Sequence, residues 1–179
     1  MGEIEHLHSG RLSYTAPEPT NSDHRLDVFD CGKAALNDFL RRRALKNDGR
    51  ASRTYVLTAT TGEQAGAVVA FYTLAAGAVP LAEVPKKLSR NMPNPVPAMV
   101  LGRMAVDEHH KGKGLGRAML QEAMSRVLTA SREVGARALV VHAIDDEAVT
   151  FYTQYGFQVF PTGSRTLFLP IETIAASLN

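Results

Sequence analysis

A run of glycines and basic residues in the middle of the chain has the composition of an anion-binding turn. It lies in Leu101–Gln121, LGRMAVDEHHKGKGLGRAMLQ. Glycines let a turn expose its backbone N–H groups without a Cβ in the way, and a following helix adds the positive end of its dipole. Its glycines are Gly112, Gly114 and Gly116, and its basic residues are Lys111, Lys113 and Arg117. The turn is therefore predicted to bind an anion, which we interpret as a pyrophosphate.

The flanking elements that must hold this turn follow from hydrophobic periodicity, caps and turn residues. Predicted strands occupy residues 11–17, 53–59, 65–78, 98–106, 138–143, 157–160 and 165–169. Predicted helices occupy residues 33–46, 114–134 and 145–154. The strands 53–59 and 65–78 form a predicted hairpin, and the proline-rich segment 80–97 is a long loop with room for a short helix. This order predicts an α/β or α+β fold with a mixed sheet.

Length and composition are those of one globular domain over residues 1–179. The chain has 45% hydrophobic residues, a net charge of +2 and one cysteine. It has no apolar run long enough for a membrane span, and its first residues lack a signal-peptide core, so we expect a cytoplasmic protein. Cys31 cannot form an internal disulfide, and we interpret it as a small buried or capping residue in preference to a nucleophile.

Positive charge is concentrated in two blocks. Residues 33–53 carry seven basic and two acidic side chains, and so do residues 86–117. Two such blocks on a nearly neutral chain favour a polyanionic partner, the alternative being a solvated helix face. The second block already contains the predicted anion-binding turn, so the first block is the stronger indication of a further polyanion.

Two motifs resemble the GNAT superfamily of N-acetyltransferases. Lys111–Gly116 resembles its Gln/Arg-x-x-Gly-x-Gly/Ala turn, with lysine in the first position, and the preceding LGRMAVD resembles its fourth strand. Ala148–Phe157, AVTFYTQYGF, resembles a later helix that ends in Phe-Tyr-x-x-x-Gly-Phe. The resemblance covers about residues 11–170. It implies a mixed, twisted sheet of about six to seven strands, flanked by helices and splayed at the fourth strand.

A narrower resemblance involves segments near both ends of the chain. Phe29–Lys33, Leu36–Leu40 and Arg165–Leu169 resemble the TacT-type acetyltransferase toxins of toxin–antitoxin pairs. This family implies transfer of an acetyl group from acetyl-CoA to the free α-amino group of aminoacyl-tRNA, which blocks translation. It also implies neutralisation by a ribbon-helix-helix antitoxin, repressor contact with operator DNA only through the antitoxin complex, and a homodimer.

The resemblance also assigns the acetyl-CoA site. The backbone amides of the turn would hold the pyrophosphate, and the end of the preceding strand would pair with the pantetheine arm. The predicted contacts are Met104, Ala105, Val106, Lys111, Gly112, Lys113, Gly114, Leu115, Gly116 and Arg117. Ordinary strand core is the alternative for the first three, and both roles can hold together because the main chain would form the bonds.

Tyr152 occupies the family's position for the acid that protonates the leaving CoA thiolate. Tyr155 is the competing tyrosine, and a core aromatic role is the alternative for either. The general base is left open: His142 is a candidate, but we interpret it as a packed strand histidine. His109 and His110 have no metal-ligand partners, so no metal site is predicted. Asp145 or Asp146 stands where many family members have a CoA-binding asparagine, and helix capping is the favoured role.

Basic side chains of the first block would bind tRNA phosphates, because A-form RNA is recognised mainly through shape and backbone. The first set is Lys33, Arg41, Arg42, Arg43, Lys46, Arg50 and Arg53, and a secondary set is Lys86, Lys87 and Arg90. Because Arg41, Arg42 and Arg43 are consecutive, we expect at least one to reach a neighbouring loop. Binding of an antitoxin segment is the alternative role. Other functions left open are acetylation of a small amine or a protein N-terminus, and a non-catalytic binding or co-repressor module.

Overall fold

The computed structural model describes residues 13–179, which contain a seven-stranded mixed sheet in the order β1-β2-β3-β4-β5-β7-β6. The strands are β1 Glu18–Pro19, β2 Arg53–Thr58, β3 Val68–Val79, β4 Val96–Val106, β5 Ala138–His142, β6 Gln158–Val159 and β7 Thr166–Pro170. The helices are α1 Ala34–Asp38, α2 Ala44–Asn47, α3 Lys86–Ser89, α4 Leu115–Ala130, α5 Asp146–Gln154 and α6 Ile171–Ser177. This is the predicted α+β class with helices flanking a mixed sheet.

The predicted first strand, 11–17, lies partly outside the described residues, and its predicted end is wrong. Tyr14 forms an isolated bridge with Ala59, and the regular strand β1 comes only after Pro17. The Thr15 N–H still donates to the Thr58 carbonyl oxygen at 2.9 Å. The segment therefore follows the edge of the hairpin with interrupted pairing, because proline has no N–H to contribute to a ladder.

The predicted helix 33–46 is confirmed, but it is not a regular α-helix. Between α1 and α2 the backbone forms a π-helical turn over Phe39–Arg43, with α2 continuing to Asn47. Its i→i+5 bonds make this turn wider than an α-helical one. The three consecutive arginines lie within this wider turn, so their directions differ from those of a regular helix.

Other boundaries moved by a few residues. β3 begins at Val68, three residues later than predicted, because the left-handed turn at Gly66 (φ +84°) precedes it. α4 ends at Ala130, before the predicted 134, and a tighter turn follows. Helix α6, directly after Pro170, was not predicted. None of the helices within residues 13–179 combines the length and apolar character that crossing a membrane requires.

By internal contacts the chain groups into two compact units. The first comprises residues up to Thr73 together with Arg103–Glu122. Its apolar core places the inner face of α1 and the π-helical turn against β2, β3 and the end of β4, with Phe39 stacked 6.1 Å from Phe71. This core positions both the basic helical segment and the entrance to the glycine turn.

The second unit comprises Leu74–Gly102 and Ala123–Asn179. A cluster around Phe160 and Phe168, whose rings lie 5.0 Å apart, packs against Leu88, Ala98 and Val140. Within this unit β4 pairs in parallel with β5 from Ala98–Ala138 to Leu101–Val141, and β5 pairs in antiparallel with β7. The core fixes β5, which precedes α5 in the sequence, and β7, which follows α5 and β6.

Candidate functional site

The glycine turn presents an open row of backbone N–H groups at the start of α4. Gly112 and Gly114 have φ of +75° and +78°, which side chains with a Cβ rarely adopt, and nothing lies within 4 Å of a Cβ built on either. The first bond into the helix runs from the Ala118 N–H to the Gly114 carbonyl oxygen at 3.1 Å. No main-chain N–H of Lys111–Arg117 donates to an acceptor within residues 13–179. The turn therefore has the donors and the space that an anion needs.

The side chain of Lys111 is directed at a distant loop. Its Nζ donates to the Cys31 carbonyl oxygen at 3.1 Å. Cys31 is buried, its Sγ lies 3.6 Å from the Lys33 carbonyl oxygen, and burial raises the pKa of its thiol. The cysteine thus has the small buried role that the sequence predicted, and its loop anchors the first residue of the turn.

Asp107 joins the same loop to the end of β4. Its fully buried carboxylate accepts from the Asp30 N–H at 3.0 Å and from the His109 N–H at 2.9 Å, and the Glu108 N–H donates to the Asp30 carbonyl oxygen at 2.8 Å. The Gly32 N–H, followed by the Asn37 amide, holds the pKa of the Asp30 carboxyl below its ordinary range. These bonds fix the approach to the glycine turn.

His110, one residue before Lys111, is the centre of a buried polar chain. Its Nδ1 lies 2.7 Å from the Tyr14 hydroxyl, and its Nε2 lies 2.5 Å from Gln64 Oε1. Burial lowers the pKa of His110, so its imidazole is neutral and can accept from the tyrosine while donating to the glutamine. These two bonds therefore hold the backbone directly before the glycine turn in place. The sequence prediction missed this role.

The predicted pantetheine strand lies at the end of β4. The β4–β5 ladder ends at Leu101, and β4 itself continues to Val106. Ala105 is buried in the core of the first unit, whereas Met104 and Val106 are partly exposed. Ordinary core packing thus accounts for Ala105, and no ladder with β5 occupies the main chain of these three residues.

Tyr152 lies on α5 in the second unit. It is 5% exposed, and its ring packs against Phe151 and Phe157 with centroid separations of 5.2 and 5.4 Å. Burial raises the pKa of its phenol well above the ordinary value, and its hydroxyl group has no hydrogen-bond partner within residues 13–179. The phenol is therefore protonated, and its O–H group donates to no acceptor within residues 13–179.

The other candidates near α5 have different roles. Asp145 is the N-cap, accepting from the Ala148 N–H at 2.9 Å, and Asp146 pairs with Arg165 at 3.0 Å, so the capping prediction is confirmed for Asp145. Tyr155 follows α5, with its ring 5.1 Å from Phe151. The prediction of a packed His142 is wrong: its side chain is exposed, and Nδ1 lies 3.0 Å from Thr166 Oγ1.

The three consecutive arginines have three different environments. Arg41 donates to the Phe29 carbonyl oxygen, as expected for a side chain that reaches a neighbouring loop. Arg42 lies 3.9 Å from Asp38 and its side chain is 77% exposed. Arg43 is exposed and has no hydrogen bond or ion pair within residues 13–179. Only Arg43 of the three is left without an acceptor in the described protein.

The remaining residues of the first basic set lie at the two ends of the helical segment. Lys33 precedes α1, while Lys46 and Arg50 are exposed at and after α2. Arg53 forms a 3.1 Å ion pair with Asp48, which closes the turn between α2 and β2. The structure therefore brings these residues together with Arg41–Arg43 in the first unit.

The secondary set is separate from this group and belongs to the second unit. Lys86 and Lys87 lie on α3, and Arg90 follows it. Lys87 Nζ donates to Gln158 Oε1 at 2.8 Å and lies 5.8 Å from the centroid of the Phe168 ring. Lys87 is thus used within its own unit, whereas Lys86 and Arg90 are exposed.

Arg103, in the middle of β4, is a charged residue that the sequence prediction passed over. Its guanidinium carbon lies 3.9 Å above the centroid of the Phe39 ring. Burial, and then the positive charge of Arg43, lower the pKa of Arg103. A charged residue within an otherwise apolar strand was the signal that could have identified it.

A small cavity lies in the second unit beside the ends of β5 and β7. Its volume is about 140 Å³, and its lining combines apolar Val100, Val140 and Phe160 with polar His142 and Thr166. Such a lining can accept a small group with an apolar body and a polar end. Within residues 13–179 no group of three His, Cys, Asp or Glu side chains could hold a metal ion.

Comparison with known families assigns this arrangement. The family model described as an acetyltransferase (GNAT) domain matches residues 50–159, which include the glycine turn and Tyr152. The chain belongs to the GNAT acetyltransferase family. This GNAT chain is also 39% identical over 166 residues to the tRNA-acetylating toxin of Mycobacterium tuberculosis, covering 93% of this chain and 98% of that protein.

Solved structures agree with that relationship. A tyrosine-to-phenylalanine mutant of KacT has a TM-score of 0.83 and 29% identity, covering 94% of this chain and 99% of that chain. AtaT complexed with acetyl-methionyl-tRNAfMet has a TM-score of 0.81 and 32% identity, covering 94% and 99%. A tyrosine-to-phenylalanine mutant of AtaT, bound to the C-terminus of the antitoxin AtaR and acetyl-CoA, has a TM-score of 0.77 and 29% identity, covering 95% and 99%.

Proposed function

We propose that this acetyltransferase is a toxin that moves an acetyl group from acetyl-CoA to the free α-amino group of aminoacyl-tRNA and so blocks translation. The observation that carries the proposal is the 39% identity to a tRNA-acetylating toxin along 93% of the chain. AtaT, bound to an acetylated initiator tRNA, supports the same substrate class. Translation takes place in the cytoplasm, and we assign the protein to that compartment.

The glycine turn is the proposed acetyl-CoA anchor. The amides of Lys111–Arg117 would donate to the pyrophosphate, with charge from Lys113 and Arg117 at the rim. Lys111 acts mainly through its main chain, because its side chain is bonded to Cys31. The main chain of Met104–Val106, which has no ladder with β5, would pair with the pantetheine arm, for which small and apolar side chains leave room.

The reaction is acyl transfer to an amine. The neutral α-amino nitrogen attacks the thioester carbonyl carbon, the new C–N bond forms, and the C–S bond breaks. The departing sulfur takes a proton, and Tyr152 is the proposed donor because its buried phenol stays protonated and has no described acceptor. The nitrogen loses its proton to solvent, and the phenolate is reprotonated from the same source. No residue is assigned as a general base.

The acceptor tRNA would bind to the basic residues of the first unit, with Lys86, Lys87 and Arg90 in a secondary role. Arg and Lys side chains without base-specific contacts suit a substrate that is recognised through its phosphates. We further propose a homodimer that a ribbon-helix-helix antitoxin neutralises and that reaches operator DNA only through that antitoxin. AtaT bound to the C-terminus of AtaR supports the antitoxin assignment.

A transfer assay tests the substrate class directly. The purified protein is incubated with labelled acetyl-CoA and either charged tRNA, the same tRNA after deacylation, or a polyamine. Label is expected on charged tRNA alone, because only the aminoacyl ester supplies the amino group together with the polyanion. Label on the polyamine instead, with none on charged tRNA, contradicts the toxin assignment and leaves a GNAT enzyme for small amines.

A further inference from the structure

Arg43 and Arg103 form a pair of positive charges that the fold itself does not neutralise. Neither has a carboxylate partner within residues 13–179, although acidic residues pair with Arg42 and Arg53 close by. The charge of Arg43 acts on Arg103 strongly enough to contribute to the lowering of its pKa. The two positive charges repel each other, which opposes folding, so stability does not account for the charge of Arg43 beside Arg103.

The packing of Arg103 holds its charge in place. Its guanidinium carbon lies over the Phe39 ring, 3.9 Å from the ring centroid, and Phe39 is in turn stacked on Phe71 in the core. A cation held over an aromatic face keeps its charge while losing little flexibility on binding. Arg103 donates no hydrogen bond to residues 13–179, and its nitrogen atoms are not among the buried atoms without a partner. Its donors are therefore available to an incoming anion.

The location of the pair indicates which anion this is. Arg103 directly precedes Met104–Val106, the proposed pantetheine strand, and consecutive strand residues are about 3.3 Å apart. An anion at Arg103 would therefore lie close to the reacting end of the acetyl donor. Phosphates of an acceptor that approach this point belong to the nucleotides next to the aminoacyl ester.

We propose that Arg103 and Arg43 clamp a phosphate of the single-stranded 3′ end of aminoacyl-tRNA, an inference that rests on the proposed function. The guanidinium groups donate to phosphate oxygens, and the second charge of the pair becomes favourable once the anion is bound. The clamp brings the terminal nucleotide, and with it the amino group, towards the acetyl donor. Both arginines are specificity-determining residues for the acceptor and have no role in binding acetyl-CoA.

The test compares Arg103→Met, Arg103→Lys and Arg43→Met with the wild type. Methionine keeps contact with Phe39 but removes the charge, whereas lysine keeps the charge. Arg132→Gln is the charge-matched control, since Arg132 is exposed in the second unit. The measured quantities are the Kd for total charged tRNA from about 50 to about 200 mM KCl, the Kd for acetyl-CoA, and Tm.

Arg103→Met and Arg43→Met are expected to weaken tRNA binding by about tenfold and to reduce the slope of log K against log salt by about 0.7, the value for one single-strand phosphate contact. Arg103→Lys should recover part of the loss. The Kd for acetyl-CoA and the behaviour of Arg132→Gln should match the wild type. Arg43→Met should not lower Tm, because it removes a repulsion, whereas Arg103→Met also loses the attraction of its cation to the Phe39 ring. If Arg103→Met does not fold, Arg103→Lys and Arg43→Met decide.

Three results overturn the clamp. They are unchanged tRNA affinity in both methionine variants, an equal loss in Arg132→Gln, or weakened acetyl-CoA binding, which would assign the anion to the donor. Failure of the proposed function looks different. In that case the wild type itself transfers no acetyl group to charged tRNA, whatever the variants do.

Discussion

The Nζ of Lys111 donates a hydrogen bond to the carbonyl oxygen of Cys31 over 3.1 Å, although 80 residues separate the two in the sequence. The bond joins two motifs that suggested different functions, the glycine turn for the donor and the Phe29–Lys33 segment for a toxin subfamily. In the structure this segment leads into the basic helical segment, and it is anchored on the entrance to the turn. The donor anchor and the proposed acceptor surface therefore share one support.

Removing the Lys111 ammonium should destabilise the contact between the turn and the Cys31 loop while leaving the backbone N–H groups of the turn able to bind an anion. Lys111→Met keeps the aliphatic stem but removes the hydrogen bond, and we expect the free energy of unfolding to fall by about 1 kcal/mol, because the bond is partly exposed. Urea denaturation measures the change. Lys113→Met, two residues further along the turn, is the matched control and should change the stability by less; equal effects would show that the Lys111–Cys31 bond contributes nothing specific.

Gly32 is expected to be required for its backbone conformation. Its φ is +82°, and a Cβ built there would clash with Glu108 Oε1. The glutamate is flexible and can move aside, whereas the positive φ cannot be relieved, so Gly32→Ala should destabilise the protein by about 1–2 kcal/mol. Chemical denaturation of Gly32→Ala, Glu108→Ala and the double variant measures the coupling.

Glu108→Ala should not rescue Gly32→Ala if backbone strain dominates. Gly135→Ala is the control, because Gly135 lacks a left-handed φ and has nothing within 4 Å of a built Cβ. It should leave stability nearly unchanged. Full rescue by Glu108→Ala would instead attribute the effect to the steric contact.

His110 should make stability depend on pH. Burial lowers its pKa below the ordinary value of about 6.5, so the unfolded state binds the proton first. This contribution to stability is complete above about pH 6.5 and is lost as the pH falls from there towards the folded-state pKa. Urea titrations at several pH values should show this acid loss in the wild type and a flatter profile in His110→Gln. His142→Gln, at an exposed position in the second unit, should keep the wild-type profile. If His110→Gln keeps the profile too, another group is responsible.

The N-cap of α5 should control the helix that carries Tyr152. Asp145→Ala removes the acceptor for the Ala148 N–H and should cost about 1 kcal/mol of stability, whereas Asp145→Asn keeps a capping oxygen and should cost less. Thermal denaturation compares the two. Both should bind acetyl-CoA as the wild type does; a large loss of acetyl-CoA affinity in Asp145→Ala that Asp145→Asn restores would assign the side chain to the donor site instead.

Much of this architecture could be predicted from periodicity, because most helices and strands bury one regular face. Helix α5 and β5 appear close to their predicted bounds. The π-helical turn could not be predicted, because it spans only five residues. Phe39 and Leu40 are buried within it, as they would be in a regular amphipathic α-helix. It matters for function because the environments of Arg41, Arg42 and Arg43 are set within it.

In the candidate site, too, features set by neighbouring residues could be predicted, whereas contacts between residues far apart in the sequence could not. The glycines of the turn are readable because their backbone conformation is local. The roles of Arg103 and His110 depend on partners that are far away in the sequence, Phe39 for one and Tyr14 and Gln64 for the other. Lys111 was predicted as a contact of the anion site, and only the fold reveals the bond of its side chain to Cys31.

Tyr152 links the chemistry to the substrate, and its replacement tests the central claim. Charged tRNA is incubated with acetyl-CoA and either the wild type or Tyr152→Phe, then digested with ribonuclease, and the 3′-terminal aminoacyl-adenosine is examined by mass spectrometry. The wild type should add one acetyl group to the α-amino nitrogen, and Tyr152→Phe should do so at least about 100-fold more slowly while binding acetyl-CoA normally. Unmodified aminoacyl-adenosine with the wild type, or equal acetylation by Tyr152→Phe, would contradict the account.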